Sequence, residues 1–214
     1  LIAINLREGD ELLKVKVTRG DADIIIVSQD GNAIKFNEQD VRPMGRTAAG
    51  VKSMNLRDED VAVCMDIATD NEDLLVISEN GFGKRTPLTE YKRQNRGGVG
   101  LITYKISEKT GKVVGAIVCK NDDELMLINT SGIAIRINVS DISVTSRSAM
   151  GVRLMRTSEE EKVVAIAKIA KTGDEEKDEQ LSLEACADNE VVEANKDTSL
   201  DRLVEESQKE ETEE

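Results

Sequence analysis

Residues 91–100, YKRQNRGGVG, are the most basic and glycine-rich ten residues in a chain whose formal net charge is −13. Three cations, Lys92, Arg93 and Arg96, are followed by three glycines, Gly97, Gly98 and Gly100. Cations attract phosphate groups, and glycine lets the main chain approach a phosphate closely and present its N–H groups. The stretch is therefore a candidate binding site for a phosphate-bearing ligand.

An internal repeat places similar chemistry at three points of the chain. The segments ADIIIVSQDGNAIKFNEQDV, EDLLVISENGFGKRTPLTEY and DELMLINTSGIAIRINVSDI superpose on glycines that are 50 and 51 residues apart, namely Gly31, Gly81 and Gly132. A cation follows each glycine by four positions, an arginine by fifteen and a second glycine by nineteen. The cations are Lys35, Arg85 and Arg136; the arginines are Arg46, Arg96 and Arg147; the second glycines are Gly50, Gly100 and Gly151. Three copies at one repeat position indicate that the arginine has a common role.

Each repeat has the pattern of a small antiparallel sheet. Short runs rich in Val, Ile and Leu are bounded by DG, NG or SG, dipeptides that supply positive φ in tight hairpins. Matching apolar runs lie upstream of the turns, at 12–17, 62–67 and 113–118, and VVAIAK at 163–168 begins a fourth unit. About four strands in a period of ~50 residues are typical of a propeller blade, and adjacent blades bury each other's faces. We predict an all-β, propeller-like fold of four-stranded blades, with Gly31, Gly81 and Gly132 in hairpin turns at positive φ.

The negative charge is confined to one end of the chain. Residues 1–172 contain 25 Lys and Arg and 25 Asp and Glu, whereas residues 173–214 contain 4 and 17, a net of −13. The second segment has no aromatic residue, so it cannot bury enough apolar surface to offset its ordering entropy. We predict a folded body over 1–172, with three full repeats and partial flanking units. We predict a disordered acidic tail over 173–214, with a helical tendency at 199–211.

The repeated arginines define a candidate nucleic-acid interface. Equivalent positions in a ring of blades lie on one edge, so Arg46, Arg96 and Arg147 are expected to form a basic edge on a neutral body. Further candidates on the same loops are Arg42, Lys52, Lys92, Arg93, Gln94 and Arg153, with the glycines Gly97, Gly98 and Gly100. Only four residues, Phe36, Phe82, Tyr91 and Tyr104, are aromatic. Because single strands are bound largely by aromatic stacking, this scarcity favours contact with a duplex backbone.

Other classes of function are disfavoured by composition. The chain has no His, which excludes a histidine base or metal ligand, and its three widely spaced cysteines, Cys64, Cys119 and Cys186, suit reduced thiols better than disulfides or zinc. No stretch approaches the ~20 apolar residues of a membrane span. The stretch GFGKRT departs from a phosphate-binding loop, because Ser78 occupies the first glycine position and Arg85 the Ser or Thr position. We expect no catalytic residue, metal or cofactor, and we assign Tyr91 to the core.

The chain resembles the C-terminal domain of the DNA gyrase A protein over residues 1–172. The ~50-residue units carry the resemblance, together with NEQDVRPMGRTAAGVK at 37–52 and NGFGKRTPLTEYKRQNRGGVG at 80–100. It implies a β-pinwheel whose four-stranded blades exchange a strand with a neighbour and bend duplex DNA around the outer edge. It also implies a bacterial cytoplasmic location. The implied partners are the rest of gyrase A, which holds the DNA-cleaving residues, and gyrase B, in an enzyme that uses ATP to introduce negative supercoils.

The family's seven-residue box, Q-R-R-G-G-K-G, is only partly present. Residues 94–100 read Q-N-R-G-G-V-G, so Asn95 replaces an arginine and Val99 replaces the lysine. Arg93, just outside the motif, is positioned to restore one cation. We interpret this loop as the equivalent in a later blade, expect the full box upstream of Leu1, and expect weaker, incomplete wrapping without it.

Two alternatives stay open at this point. The related C-terminal domain of the A-type protein of topoisomerase IV has similar blades without a proper box. A propeller that binds another protein is the alternative from a different functional class, and salt-insensitive binding would distinguish it from a DNA-binding domain.

Overall fold

A computed structural model describes residues 3–57, 59–158 and 160–169, and these residues are all-β as predicted. They contain eleven strands: β1 Asp23–Ser28, β2 Asn32–Asn37, β3 Ala62–Ala68, β4 Asp73–Ser78, β5 Phe82–Pro87, β6 Leu101–Ile102, β7 Val113–Cys119, β8 Glu124–Asn129, β9 Ala134–Asn138, β10 Val152–Arg153 and β11 Val163–Ile169. A 3₁₀ turn follows each hairpin, at Glu38–Asp40, Leu88–Glu90 and Val139–Asp141. Within the described ranges, no helix has the length and apolar character of a membrane span.

The strands form three antiparallel sheets, each built around one hairpin. The first sheet has the order β3-β1-β2-β6, the second β10-β5-β4-β7, and the third, over its described strands, β11-β8-β9. In the first two sheets, the hairpin belongs to one repeat and both flanking strands belong to the next. Each repeat therefore completes the sheet of the repeat before it, which confirms four-stranded blades joined by strand exchange.

The central sheet is apolar on both faces. Leu74 and Val76 of β4 point into a buried cluster shared with the first sheet, whereas Leu75 and Ile77 point into a cluster shared with the third. Alternate residues of a strand face opposite sides, so a blade between two blades needs an unbroken apolar run. The run LLVI is therefore explained by burial between two neighbours.

The glycines used to superpose the repeats occupy hairpin turns, as predicted. Gly31, Gly81 and Gly132 have φ of 79°, 77° and 79°. The N–H of each donates to the carbonyl three residues earlier, at 3.0 Å. At the first two turns, the backbone of the next repeat packs directly on the glycine. A Cβ on Gly31 would lie 2.5 Å from the Tyr104 carbonyl oxygen, and one on Gly81 would lie 2.2 Å from that of Met155.

One apolar run predicted from the repeat does not form a strand. Residues 12–17 match β3, β7 and β11 in repeat position, but they have no strand pairing, and Val15 and Val17 are 71% and 78% exposed. The three equivalents each pair with the hairpin of the preceding repeat, and no described hairpin pairs with residues 12–17. In place of strand pairing, the segment contacts β3 through ion pairs. Lys14 and Lys16 pair with Asp66 of β3 at 3.2 and 3.1 Å.

Several predictions concern residues outside the described ranges. The proposed boundary between residues 172 and 173, the disordered tail and the helical tendency at 199–211 all lie there, as does Cys186. Cys64 and Cys119 are free and buried, and burial raises the pKa of each thiol to about 12. Neither of these two thiols is therefore a reactive thiolate near neutral pH.

Candidate nucleic-acid interface

The candidate interface consists of three loops, residues 41–50, 91–100 and 142–151, with the short strands β6 and β10 that follow the last two. We call it the outer edge. Loop 91–100 lies on the first hairpin, where the Gln94 N–H donates to the Lys35 carbonyl at 2.7 Å. Loop 142–151 lies in the same way on the second hairpin, where the Thr145 N–H donates to the Arg85 carbonyl at 2.9 Å. The sequence repeat thus becomes a structural repeat along the outer edge.

The glycine that closes each of these two loops is required by backbone packing. Gly100 and Gly151 have φ of 83° and 81°. A Cβ on Gly100 would lie 2.4 Å from the Ala33 carbonyl oxygen, and one on Gly151 would lie 2.3 Å from that of Gly83. Only glycine fits such a contact without displacement of the chain. These glycines bring β6 and β10 into register with the preceding hairpin.

The arginines fifteen positions after the turn glycine lie at the junction of consecutive loops. Arg96 donates from Nε to the Asp40 carbonyl and from Nη1 to the Lys52 carbonyl, both at 2.9 Å. Arg147 donates from Nη1 to the Ile102 carbonyl at 3.4 Å, and Ile102 is the repeat equivalent of Lys52. Both side chains are half-buried. A guanidinium has five N–H donors, so each arginine can hold a neighbouring loop and still donate outward.

Arg46 differs from its two equivalents. It is exposed and makes no hydrogen bond or ion pair with the residues that the structure describes. No described hairpin forms a β-bridge with its loop, in contrast to the loops of Arg96 and Arg147. Arg42 and Lys92 are also exposed and unpaired within the described ranges.

The remaining candidates have diverse local contacts. Arg93 forms an ion pair with Asp23 at 2.7 Å, and Lys52 donates to Asn55 Oδ1 at 2.6 Å. The Arg153 guanidinium lies over the Phe82 ring, 5.0 Å from its centroid. Gln94 has a buried side-chain oxygen without a hydrogen-bond partner among the described residues. The Arg93 pair lies at the surface, so an incoming phosphate would compete with the Asp23 carboxylate for it.

The glycines within loop 91–100 have different roles. The Gly97 N–H donates to the Ser53 carbonyl at 2.8 Å, so it is already used. A Cβ on Gly97, which has φ of 78°, would meet nothing closer than the Lys52 carbonyl at 4.0 Å. The Gly98 carbonyl accepts from the Asn55 N–H at 2.8 Å. Gly97 and Gly98 therefore shape the loop, and the side chains supply its positive charge.

The aromatic residues are not available for stacking on bases. Phe36, Phe82, Tyr91 and Tyr104 are at most 5% exposed. Tyr91 belongs to the core, as predicted, and its hydroxyl is 2.5 Å from the Thr103 hydroxyl. Burial raises the Tyr91 pKa to about 12. The edge therefore offers charge and main chain but no stacking platform.

The cations four positions after the turn glycine are structural anchors, a role the sequence did not indicate. The Lys35 ammonium is buried and donates to the Leu88 carbonyl at 3.1 Å. The buried Arg85 donates from Nε to the Ile142 carbonyl at 2.7 Å. Each anchor binds a carbonyl of the next repeat, at the first residue of the loop for Arg85 and in the 3₁₀ turn just before the loop for Lys35. Arg136 binds no carbonyl of a later repeat among the described residues; it is exposed and pairs with Glu124.

Lys84 is a second anchor, and it acts on the loop that carries Arg147. Its side chain is fully buried, and its ammonium donates to the carbonyls of Arg147 and, at 2.6 Å, Ser146. Burial lowers the Lys84 pKa to about 8; Arg147 also lowers it, and Glu90 opposes the shift. The repeat equivalents of Lys84 are Ile34 and Ile135, so this anchor is specific to the second hairpin.

Lys84→Ile tests this anchor, because isoleucine is the residue that the other two hairpins use here. The unfolded chain retains the Lys84 proton up to the ordinary pKa of 10.5, whereas the folded chain releases it near pH 8. The unfolded state binds more protons in this window, so the group's contribution to stability rises between about pH 8 and 10.5. We expect the free energy of unfolding of the parent to increase relative to Lys84→Ile over that window. Denaturant titrations at pH 7, 8.5 and 10 measure it, and a constant difference would contradict the burial of a titrating Lys84.

Comparisons with known proteins agree with this architecture. The model of a family described as DNA gyrase C-terminal domain, beta-propeller, matches residues 1–19, 22–63, 72–120 and 123–170. The DNA gyrase A protein of Clostridium acetobutylicum is 68% identical over 176 residues, which are 82% of this chain and 21% of that protein. The chain therefore spans about a fifth of the length of this relative.

Two solved structures have the same fold. A DNA gyrase A C-terminal domain has a TM-score of 0.73 at 31% identity, over 79% of this chain and 58% of that chain. The C-terminal domain of a DNA topoisomerase IV has a TM-score of 0.74 at 28% identity, over 78% of this chain and 52% of that chain. The fold alone thus fits both kinds of enzyme, whereas the higher sequence identity is with gyrase A.

Proposed function

The chain belongs to the DNA gyrase C-terminal domain family, and from this premise we propose that it binds duplex DNA along the outer edge and bends the duplex around it. The observation that carries the proposal is the equivalent placement of Arg96 and Arg147. Both arginines sit at a junction between loops, both use carbonyls of the preceding repeat to fix their orientation, and both keep donors for a phosphate.

The proposed contact is with the DNA backbone of a duplex. One cation recurs in each blade, and this suits a ligand with regularly spaced negative charges. The phosphates of a DNA backbone are spaced in this way. The aromatic side chains are buried, so stacking on the bases of a single strand has no support. Because blades of a propeller are arranged around an axis, a duplex that follows equivalent loops must bend.

In the whole protein, we propose that this DNA-binding edge supports ATP-dependent negative supercoiling by gyrase, together with the rest of gyrase A and with gyrase B in the bacterial cytoplasm. Topoisomerase IV is the second candidate, favoured by the structural similarity of its C-terminal domain. The 68% identity to a gyrase A protein supports gyrase over topoisomerase IV.

Salt-dependent titration tests the proposal. The chain should bind two unrelated duplexes of equal length with the same affinity, because backbone contacts carry little base information. The logarithm of the affinity should fall with the logarithm of salt concentration, with a slope of roughly −0.9 per phosphate contact. A single strand of the same length should bind more weakly. Binding that does not change with salt would contradict the proposal and favour a protein partner.

The acidic segment 173–214 gives a further prediction. Its 17 carboxylates are covalently linked to the folded body, and a short linker gives an effective concentration of order millimolar, so we expect them to compete with DNA for the arginines. Removal of residues 173–214 should tighten duplex binding, most clearly at low salt where screening is weak. The melting temperature should hardly change. Equal affinities of the full and shortened chains at low salt would show that the segment does not compete.

A further inference from the structure

A cluster of cations lies at the turn of the second hairpin, beyond loop 142–151. Phe82 begins β5 directly after Gly81, and its ring is buried. The Arg153 guanidinium lies 5.0 Å and the Lys109 ammonium 5.4 Å from the centroid of this ring. Lys162 donates to Asn80 Oδ1 at 2.5 Å. Three cations from three separate chain segments thus meet at one turn.

These side chains line a cleft of about 260 Å³. Its lining consists of Asn80, Phe82, Lys109, Arg153, Thr157, Ser158 and Lys162. The lining therefore offers positive charge, two hydroxyls and an amide, with no carboxylate among its described residues. Two acids beside the cleft, Glu79 and Glu161, have contacts of their own, and Glu79 also pairs with the cleft's Lys162. Glu79 accepts from the Lys112 N–H at 2.9 Å and lies 3.9 Å from Lys162, while Glu161 accepts from the Ser158 N–H and the Ser131 hydroxyl.

The equivalent turn of the first hairpin has the opposite electrostatic character. Lys112, the equivalent of Lys162, forms an ion pair at 3.7 Å with Asp30, and Asn80 replaces that aspartate at the second turn. Lys109 and Arg153 are replaced at the first turn by Glu59 and Ile102. Glu79 replaces Gln29 at the second turn and lies 3.9 Å from Lys162, so one carboxylate is present at each turn's lysine. The second turn still has three cations against this one acid, whereas the first has Lys112 against Asp30 and Glu59. The shared fold does not require this charge, because the first turn folds without it.

We propose that this cleft binds a phosphate group, namely a phosphodiester of the same duplex that the outer edge binds. The inference rests on the proposed function. Lysine, arginine and hydroxyl groups are common partners of phosphate oxygens. The position also fits, because β10, which carries Arg153, directly follows loop 142–151, which carries Arg147. A DNA strand that passes Arg147 and continues along β10 reaches the cleft. The second blade then provides two phosphate contacts, at Arg147 and at the cleft, and the first blade provides one, at Arg96.

Charge-removing variants test the cleft. Lys109→Gln and Lys162→Gln each change a side chain with some exposure, and Lys112→Gln is the matched control because it removes the equivalent lysine at the first turn. Each cleft variant should reduce the salt slope of duplex binding by about 1, with about tenfold weaker binding at low salt, whereas the control should keep the parent slope. Thermal melts of all three should match the parent within a few degrees. Equal slopes for the cleft variants, the control and the parent would overturn the proposal even if Arg96→Ala and Arg147→Ala lower the slope.

Inorganic phosphate distinguishes the source of the ligand. Amide NMR signals of Thr157 and Ser158 should shift on addition of a duplex, and the shift should disappear in Lys162→Gln. Inorganic phosphate should produce a weaker version of the same shift. If the chain binds no duplex, the proposed function fails, and a shift with inorganic phosphate alone would assign the cleft to a free phosphate. If neither ligand moves these signals, the cleft is not a phosphate site.

Discussion

Simultaneous replacement of Arg46, Arg96 and Arg147 by alanine is expected to weaken duplex binding by roughly 3,000-fold at 50 mM salt. A slope of roughly −0.9 per phosphate contact corresponds to about 1.2 decades of affinity per contact between 1 M and 50 mM salt, and three contacts are lost. Each single variant should make the salt dependence of binding shallower, with a slope smaller in magnitude by about 1. The change should be the same on two unrelated duplexes.

Arg136→Ala is the control for this loss. It removes the same type of side chain and the same charge, but Arg136 of β9 already pairs with Glu124 of β8. The salt dependence of duplex binding by Arg136→Ala should have the same slope as that of the parent. Because Arg96 also binds two carbonyls of the preceding repeat, Arg96→Ala should lower the melting temperature more than Arg46→Ala does. If the three single variants all kept the parent slope, the repeated arginines would not be the DNA contacts.

Gly81→Val is expected to destabilise the fold by about 3 kcal/mol or more. A valine at φ of 77° is strained by about 1–3 kcal/mol, and its Cβ would lie 2.2 Å from the Met155 carbonyl oxygen. Relief of that clash moves the next repeat away and weakens the two hydrogen bonds that the Gly81 carbonyl accepts from the Leu154 and Met155 N–H groups, at 2.8 and 3.1 Å. Each such bond contributes about 1 kcal/mol.

Gly132→Val separates the two causes. Gly132 has nearly the same φ, 79°, but no described atom lies within 4 Å of the position that its Cβ would take, so only the backbone strain applies. Denaturant unfolding should show a larger loss for Gly81→Val than for Gly132→Val. Equal losses would mean that the contact between the second hairpin and residues 154–155 contributes little to stability.

The fold was predictable because each repeat carries its own local signals. The turn glycines, the apolar runs and the ~50-residue period are all properties of single segments, and they fixed the hairpins and the blade architecture. The roles of Lys35, Lys84 and Arg85 were not predictable in the same way. Superposition of repeats shows which positions are equivalent, but each of these cations donates to a backbone carbonyl of the following repeat. Backbone carbonyls leave no signature in the sequence.

The same reason explains the failure at residues 12–17. A run that is apolar enough for a strand becomes one only if a neighbouring strand satisfies its backbone hydrogen bonds. The equivalents β3, β7 and β11 obtain this pairing from the preceding hairpin, and residues 12–17 do not. Likewise, three arginines that look identical in the repeat have different surroundings. Arg96 and Arg147 are held by carbonyls of the preceding repeat, whereas Arg46 is not.

Bending of a bound duplex is the most direct test of the proposed function. A duplex well below the persistence length of about 150 bp is nearly straight when free, so dyes on its two ends report a long distance. Energy transfer between the dyes should rise as the chain binds, fall again when salt is added, and stay low with the triple arginine variant at a concentration that saturates binding of the parent. Saturation of the duplex by the parent chain without any rise in energy transfer would show that the DNA stays straight, and would contradict the account.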